Sequence, residues 1–412
     1  MPGMDAGAGD AVNAPMDATT PLHARDAADV AAAIRDAAAL GVPLRIRGAG
    51  QWLDAGRPVT ASASTLDVAA LRGIVEYNPG DLTLTARAGT TLAEIDAAAR
   101  ANGQWLPLDP AGAATATLGA TLATASCGPL AAALGHPRDL ALGLEFVDGR
   151  GVVVRGGGRV VKNVAGFDLV RLAVGAWGTL GVITEATVRL RARPEAQCTL
   201  ALAMPRDAGA RAVLLRTLRD APLAAIAMEL VDGALLAAIA NELVDGALLA
   251  TLRGQATDAV LLRLAGNAAS VAAQRRHVES LGAPEELPAA VWERLAAADP
   301  PGACSLRCSH RPSRLAELWD ATASACAPVA GALRHASVER GIARLVFPAG
   351  ASDAAAPLVR ALAARWSVVG ERLPPAAWDA LPAPASDHLS MGVRAAFDPH
   401  HILNPGLHSP TA

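Results

Sequence analysis

Apolar positions recur at helical and strand spacings in short alternating blocks along the first 190 residues. Asp26 to Leu40 sets Val30, Ile34, Ala37 and Ala38 on one side of a helix that Gly41 stops. Pro43 to Arg47 reads as a strand running into RGAGQWLDAG (47–56). Strands are expected near Leu66 to Val68 and Ile74 to Tyr77. Asn78-Pro79-Gly80-Asp81 then forms a turn in which Pro fixes φ and Gly accepts positive φ, and Leu82 to Ala86 alternates as a strand. Thr91-Leu-Ala-Glu94 is a capping box opening a helix to Ala101, which Gly103 ends. Residues 106–151 are poor in charge and rich in Gly, Ala and Thr, a texture suited to lining a large ligand rather than to independent secondary structure. Within them Leu140 to Val147 pairs with Gly151 to Arg155 as a hairpin across Asp148-Gly149.

The stretch GGGRVVKNVAGFDLVRLAVGAWGTLGVITEATVRL (156–190) organises this half. It reads as a short helix or turn (Asp168 to Val174), a Gly-rich loop, and a buried strand through Thr184, Ala186 and Val188. Glycines there let the backbone approach a ligand closely. Lys162 is the only lysine in the chain. A compact ammonium wanted at that point explains it, and codon bias with one accidental survivor explains it nearly as well.

From Arg193-Pro194 the texture changes. Strands (Thr199 to Met204, Ala259 to Leu264, Ser305 to Ser309, Ala343 to Phe347) alternate with helices (Arg206 to Arg219, Ala268 to Leu281, Pro312 to Ala325, Asp353 to Arg365). That pattern predicts a separate α+β domain. Leu373-Pro374-Pro375 and residues 381–384 read as a linker, and FDPHHILNPGL (397–407) as a segment locked by two Pro turns.

Composition narrows the function classes. With 412 residues the chain can hold two domains and a large core, and a net charge of −3 argues against a nucleic-acid or anionic-membrane footprint. Residues 1–20 lack a basic n-region and an apolar h-region, and read as a disordered leader rather than a signal peptide. The longest apolar run, 223–252, is broken by Glu229, Asp232, Glu242 and Asp245, so a soluble protein is expected. The five cysteines (127, 198, 304, 308, 326) have no disulfide or iron–sulfur spacing. Cys304, Cys308 and His310 share a face of one strand, which favours a buried face over a metal site.

Three Gly-rich segments, 47–56, 115–128 and 175–184, match neither G-x-G-x-x-G nor a P-loop. Turns whose N–H groups converge still make anion nests, for which a pyrophosphate is a natural occupant. The order RGAG, AGTTLAEI, ATLGA, HPRDLALG, KNVAGFDLVRLAVGAWGTLGVITE and FDPHHILNPG resembles the FAD-binding family of p-cresol methylhydroxylase (PCMH) and vanillyl-alcohol oxidase, and within it the flavin-binding subunits of glycolate oxidases. The likeness is dense from about residue 40 to 194, returns at 390–406, and is thin between.

The resemblance implies an α+β fold: a two-lobed PCMH-type FAD-binding domain (21–194), an α+β cap domain (195–372), and a linker and C-terminal segment (373–412) returning to the FAD domain. It implies that Arg47, Gly48, Ala49, Gly50, Gln51 and Trp52 cradle the pyrophosphate, and that Thr117, Leu118 and Gly119 lie along the ribityl chain and isoalloxazine. Asp109 and Asp139 fall near the flavin in the family pattern. Gly178, Gly181, Val182 and Ile183 hold the cofactor through the backbone, with Lys162 a further candidate and Asn404 and Gly406 bringing the tail back. Gln51 stands where covalently flavinylated members have His, so the FAD is expected to be non-covalent. Three positions depart from the pattern: Ala120 for Gly, Ala176 for Ser and Phe167 for Tyr. Ala120 adds a Cβ and Ala176 removes a hydroxyl.

What the resemblance implies about activity is oxidation of a small 2-hydroxy acid, glycolate, in a complex with a catalytic flavin subunit and an iron–sulfur subunit that passes electrons to quinone. The chain would then be cytoplasmic and meet the inner face of the membrane only through its partners. A stand-alone alditol or lactone oxidase and a non-catalytic scaffold with a degenerate flavin site are the alternatives. No catalytic base is evident: His310, His335, His388, His400 and His401 show no ligand spacing. Arg334, His335 and Arg394 are unranked candidates for meeting a carboxylate.

ELVDGALLA occurs at 229–237 and again at 242–250. Thirteen residues turn a helix by roughly 220°, so both copies cannot show one helical face to one core. One copy must be looped or displaced. Deleting residues 242–254 is expected to leave soluble yield and flavin content unchanged; an insoluble product would refute this.

Overall fold

The computed structural model describes residues 21–58, 63–112, 115–158, 167–241, 243–244, 257–300, 302–382 and 388–407. Lys162 and residues 1–20 lie outside them, as does the second ELVDGALLA copy apart from Leu243 and Val244.

The first lobe is a parallel sheet of β1 (Leu22–His23), β2 (Leu44–Arg47) and β3 (Ser64–Asp67) in the order β1-β3-β2. Helix Ala27–Leu40 covers it. Asp26 caps this helix by accepting from the Asp29 N–H, and Gly41 ends it in the left-handed conformation (φ 66°). Val30, Ile34 and Ala37 pack on Leu44 and Leu66, together with Ile402 and Leu403 from the tail.

The second lobe is antiparallel: β4 (Ile74–Asn78), β5 (Thr83–Arg87), β7 (Ala141–Val147), β8 (Val153–Gly157) and β9 (Val182–Arg189), in the order β4-β5-β9-β7-β8. A small pair, β6 (Gln104–Trp105) and β10 (Arg191–Ala192), flanks it. The capping box at Thr91 is formed: the Glu94 N–H donates to Thr91 Oγ1 at 3.2 Å and the Thr91 N–H to Glu94 Oε2 at 2.7 Å.

The cap is one eight-stranded antiparallel sheet. Its strands are β11 (Ala196–Ala203), β12 (Ala225–Val231), β13 (Ala259–Gly266), β14 (Glu285–Leu287), β15 (Cys304–Ser309), β16 (Leu333–Ser337), β17 (Ile342–Phe347) and β18 (Ser367–Arg372), in the order β14-β11-β13-β12-β16-β17-β15-β18. Alternation along β13 sends Val260, Leu262 and Leu264 into a core shared with Trp319 and Val359. Ala259 and Leu261 face the opposite way, into a core with Ile239 and Trp292 that also takes Leu130, Trp105 and Leu134. That second face lies against the part of the chain that precedes the cap.

Several sequence expectations need correction. The 106–151 stretch contains short helices at Leu118–Thr124, Ala131–Leu134 and Pro137–Leu140. Alanine favours helix once tertiary contacts fix the ends, which outweighs the loop-like composition. The β7–β8 hairpin spans residues 148–152 rather than a two-residue turn, because Val147 pairs with Val153. Asp148, wholly buried, fills that turn by accepting from the Arg150 and Val152 N–H groups. Part of the expected linker is a helix, Pro375–Trp378, with Trp378 buried, and His388–Phe397 is helical as well. The first ELVDGALLA copy is not one helix: it runs from the end of β12 into helix Gly233–Ala240, with Asp232 as the cap between them. Cys304 and Cys308 are buried in the cap core. Among the described residues no group of three or more His, Cys, Asp or Glu side chains is placed to hold a metal, and no helix is long and apolar enough to cross a membrane.

The tail returns to the first lobe. Leu403 bridges Leu44 in parallel, and the Leu44 N–H donates to the Ile402 carbonyl at 2.7 Å. Asp398, wholly buried, orders this turn by accepting from Ile402 and Leu403 N–H groups at 3.2 and 2.9 Å. Asp398→Ala removes two charge-assisted bonds and leaves two buried donors unpaired, so a loss of about 2 kcal/mol is expected. A urea midpoint equal to that of wild type would contradict this.

Candidate functional site

A cleft opens between the two lobes. It is lined by Arg45 to Leu53 from β2 and the loop after it, Val68 after β3, residues 116–124, residues 177–183 leading into β9, and Asn404 from the tail. Of the residues singled out from the sequence, Arg47, Gly48, Ala49, Gly50, Gln51, Trp52, Thr117, Gly119, Gly178, Gly181, Val182, Ile183 and Asn404 all meet there.

The glycines bring the walls together. A Cβ on Gly48 would lie 2.5 Å from Thr117 Oγ1, and one on Gly181 would lie 2.5 Å from the Phe146 ring. Gly178 has φ +71°, and a Cβ there would meet Asn404 Nδ2 at 2.9 Å. Asn404 ties three walls: it accepts from the Ile46 N–H at 3.1 Å and donates to the Trp177 carbonyl at 2.8 Å. It is itself left-handed (φ 44°), a conformation that Asn tolerates. Trp177 is a bulkier outlier (φ 54°), held by its N–H bond to the Ala123 carbonyl and by edge contact with Trp52.

The N–H groups of Gly48, Ala49 and Gly50 donate to nothing among the described residues. The buried Thr117 hydroxyl on the facing wall also lacks a partner. Successive unpaired amides opposite an orphan hydroxyl suit an anion such as a pyrophosphate with a polar chain attached. The Arg47 guanidinium is not the free cation expected there: it is paired with Asp67 at the end of β3. Arg45 instead staples the loop, donating to the Trp52 and Leu53 carbonyls. The loop is anchored from the cap by Arg372, which donates to the Gln51 carbonyl at 2.6 Å, pairs with Asp54 at 2.9 Å, and stacks 4.5 Å from the Trp52 ring.

Three singled-out residues stand away from the cleft walls. Leu118 points into the core of the second lobe, because Thr117 and Gly119 flank it on the helical turn. Asp139 is exposed and caps helix Pro137–Leu140 through the His136 N–H. Asp109 faces the cap side, accepting from the Gly128 and Leu130 N–H groups at 3.0 and 2.9 Å. Residues missed in the sequence include Thr121, Thr124 and Ala123. Thr117, Thr121 and Thr124 recur at helical spacing, a polar stripe that would have flagged one wall of the cleft.

The family model described as "FAD binding domain" matches residues 22–157. The chain is 45% identical over 159 residues to glycolate oxidase subunit GlcE of Escherichia coli, covering 38% of this chain and 45% of that protein. It is 37% identical to glycolate oxidase subunit GlcD of Bacillus subtilis over 42% of this chain and 37% of that protein. With D-lactate dehydrogenase of Archaeoglobus fulgidus it shares 34% identity over 43% of this chain and 40% of that protein. The chain thus spans less than half the length of these curated relatives. Among solved structures, p-cresol methylhydroxylase with substrate bound superposes with a TM-score of 0.73 at 15% identity, over 94% of this chain and 88% of that one. The 4-ethylphenol oxidase from Gulosibacter chungangensis gives 0.72 at 16%, over 95% and 89%. These structures share the two-lobed fold with its cap.

Asp109 has an unusual proton affinity for the domain. Part of the residue is exposed, but its carboxyl is cut off from water, and that desolvation pushes the pKa up to about 7 against two backbone donors and nearby Arg263. A carboxyl raised above its ordinary value of 3.8 stabilises the fold in its protonated form; that contribution falls as pH rises from about 4 and is gone above about 7. Asp109→Asn should therefore gain stability relative to wild type across that window. Urea midpoints whose difference stays constant with pH would count against it.

Proposed function

We propose that this chain is the FAD-binding subunit of a glycolate oxidase-type complex, oxidising a small 2-hydroxy acid such as glycolate. The observation that carries this is the cleft: three unpaired N–H groups at Gly48 to Gly50 face the orphan Thr117 hydroxyl, in a domain whose sequence is similar to glycolate oxidase subunits. In that role Gly48, Ala49 and Gly50 hold the pyrophosphate through their amides. Gln51 and Trp52 continue the loop, Thr117 and Gly119 face the ribityl chain, and Gly178, Gly181, Val182 and Ile183 form the opposite wall. Arg47 acts indirectly, by fixing the start of the loop through Asp67. FAD, when bound, supplies the two-electron acceptor. With Gln51 in place of a histidine, the flavin is held without a covalent bond.

The domain limits proposed are 21–194 for FAD binding, 195–372 for the cap and 373–412 for the returning tail. A catalytic flavin subunit and an iron–sulfur subunit are the proposed partners; five cysteines without ligand spacing suit a chain that hands electrons on. Membrane contact, on this reading, runs through those partners at the cytoplasmic face.

Purifying the chain alone and recording its visible spectrum, then assaying glycolate with an artificial acceptor, tests the proposal. Flavin absorbance released by denaturation, with turnover appearing only when the partner subunits are added, is the expected result. Turnover by the chain alone would point to a stand-alone oxidase, and a colourless protein to a scaffold.

A further inference from the structure

A second cavity lies between the FAD binding domain and the cap. Thr124 lines the first cleft and Cys127, three residues on, lines this one, so the two spaces are neighbours along one chain segment. The floor is the cap sheet. His335 on β16 stands opposite Arg344 on β17, and Arg344 stands opposite Arg307 on β15, so three basic side chains cross adjacent strands in a row. Arg340, in the turn between β16 and β17, joins them from the rim.

These arginines are not equivalent. Arg344 is neutralised by Asp299 and Glu371 at 2.7 and 2.8 Å, and Arg307 lies 2.8 Å from the same Glu371. Arg340 donates to the Cys127 sulfur at 3.6 Å and meets no carboxylate among the described residues. A half-buried guanidinium without an anion, beside two already-paired ones, leaves the rim a positive charge to satisfy.

Next to it are two open acceptors. His335 Nδ1 donates to Glu229 Oε1 at 2.5 Å, a diagonal contact between β16 and β12. With Nδ1 donating to the carboxylate, the neutral imidazole presents Nε2 as an acceptor. Glu229 is buried, and its second oxygen, Oε2, has no hydrogen-bond partner among the described residues. An orphaned buried carboxylate oxygen in a cavity wall calls for a donor from a bound molecule.

Building on the flavin assignment of the neighbouring cleft, we propose that this cavity is the substrate-carboxylate site: Arg340 takes the carboxylate of a small 2-hydroxy acid, and the His335–Glu229 pair accepts the hydrogen of its hydroxyl. The ligand carries both a negative charge and a hydroxyl donor because the site offers a cation and two acceptors in one lining.

Calorimetric titration of the full chain with oxalate, alongside its flavin absorbance, tests this. Oxalate is expected to bind the wild type, Arg340→Met to weaken it by about tenfold or more, and Arg340→Lys to recover most of the loss. His335→Asn should leave oxalate affinity within about threefold of wild type while abolishing the preference for glycolate over acetate measured on flavin-free protein, since only glycolate donates a hydroxyl. Circular dichroism of each variant guards against misfolding, and the lysine variant keeps the charge if the methionine variant fails to fold. A yellow protein whose oxalate affinity is the same in wild type and Arg340→Met overturns the carboxylate site while leaving the flavin assignment standing. A colourless protein that binds oxalate through Arg340 does the reverse.

Discussion

The structure depends on a buried ion network that joins the cap to the glycine-rich loop after β2. Arg372 and Arg344 both pair with Asp299, each at 2.7 Å; Arg344 also pairs with Glu371, and Arg372 with Asp54. Arg344, Arg372, Asp299 and Glu371 are all buried. Removing one member of such a network strands an uncompensated charge, which typically costs about 3–5 kcal/mol. The geometry gives the network a positioning role as well. Arg372 grips the Gln51 carbonyl and lies on Trp52, and the Gly56 N–H donates to the Glu371 carbonyl at 2.7 Å. Three unpaired amides bind an anion only if their directions are fixed, and the loop that carries them is fixed from the cap side. Arg344 also forms part of the second cavity, so one network shapes both spaces.

The pairing of Arg47 with Asp67 alters the electrostatics expected of the cleft. A free guanidinium would give a strong but diffuse attraction for phosphate. With that charge compensated, selection passes to backbone amides, whose dipoles are short-ranged and directional. Such a site discriminates by shape. It depends on glycine because backbone can meet cofactor, and wall can meet wall, only where no Cβ intervenes. Gly48 and Gly178 show this: side chains there would collide with Thr117 and Asn404, the groups that close the cleft.

That these glycine-rich segments meet in one cleft was legible in the sequence because the determinants are local. Gly48, Gly178 and Gly181 announce close approach through their own side chain's absence, and the capping box at Thr91 is read within three residues. The roles of Asp109 and Asp139 were not legible, since whether a carboxyl meets a ligand or a backbone N–H depends on the fold of its surroundings. The cap cavity was out of reach for the same reason. Glu229 and His335 are 106 residues apart and meet only because β12 and β16 are neighbours in the sheet, an adjacency that strand signals do not encode. Arg334 and His335 looked alike as adjacent cap residues. Alternation on β16 separates them: Arg334 is buried 4.0 Å from the Trp319 ring, while His335 faces the cavity.

The departure at Ala120 is absorbed by the same close packing. Its methyl lines the cleft where the family pattern has glycine, and a Cβ on Gly48 would stand 3.3 Å from it. The opposing wall carries no side chain at that point, so a single methyl fits in the gap without forcing the loops apart. A second methyl, on Gly48, would face both Ala120 and the Thr117 hydroxyl at once and leave the loop no room to yield. The tolerance at 120 therefore follows from the glycine at 48: the two positions share one steric allowance, and the cleft stays open because only one of them uses it.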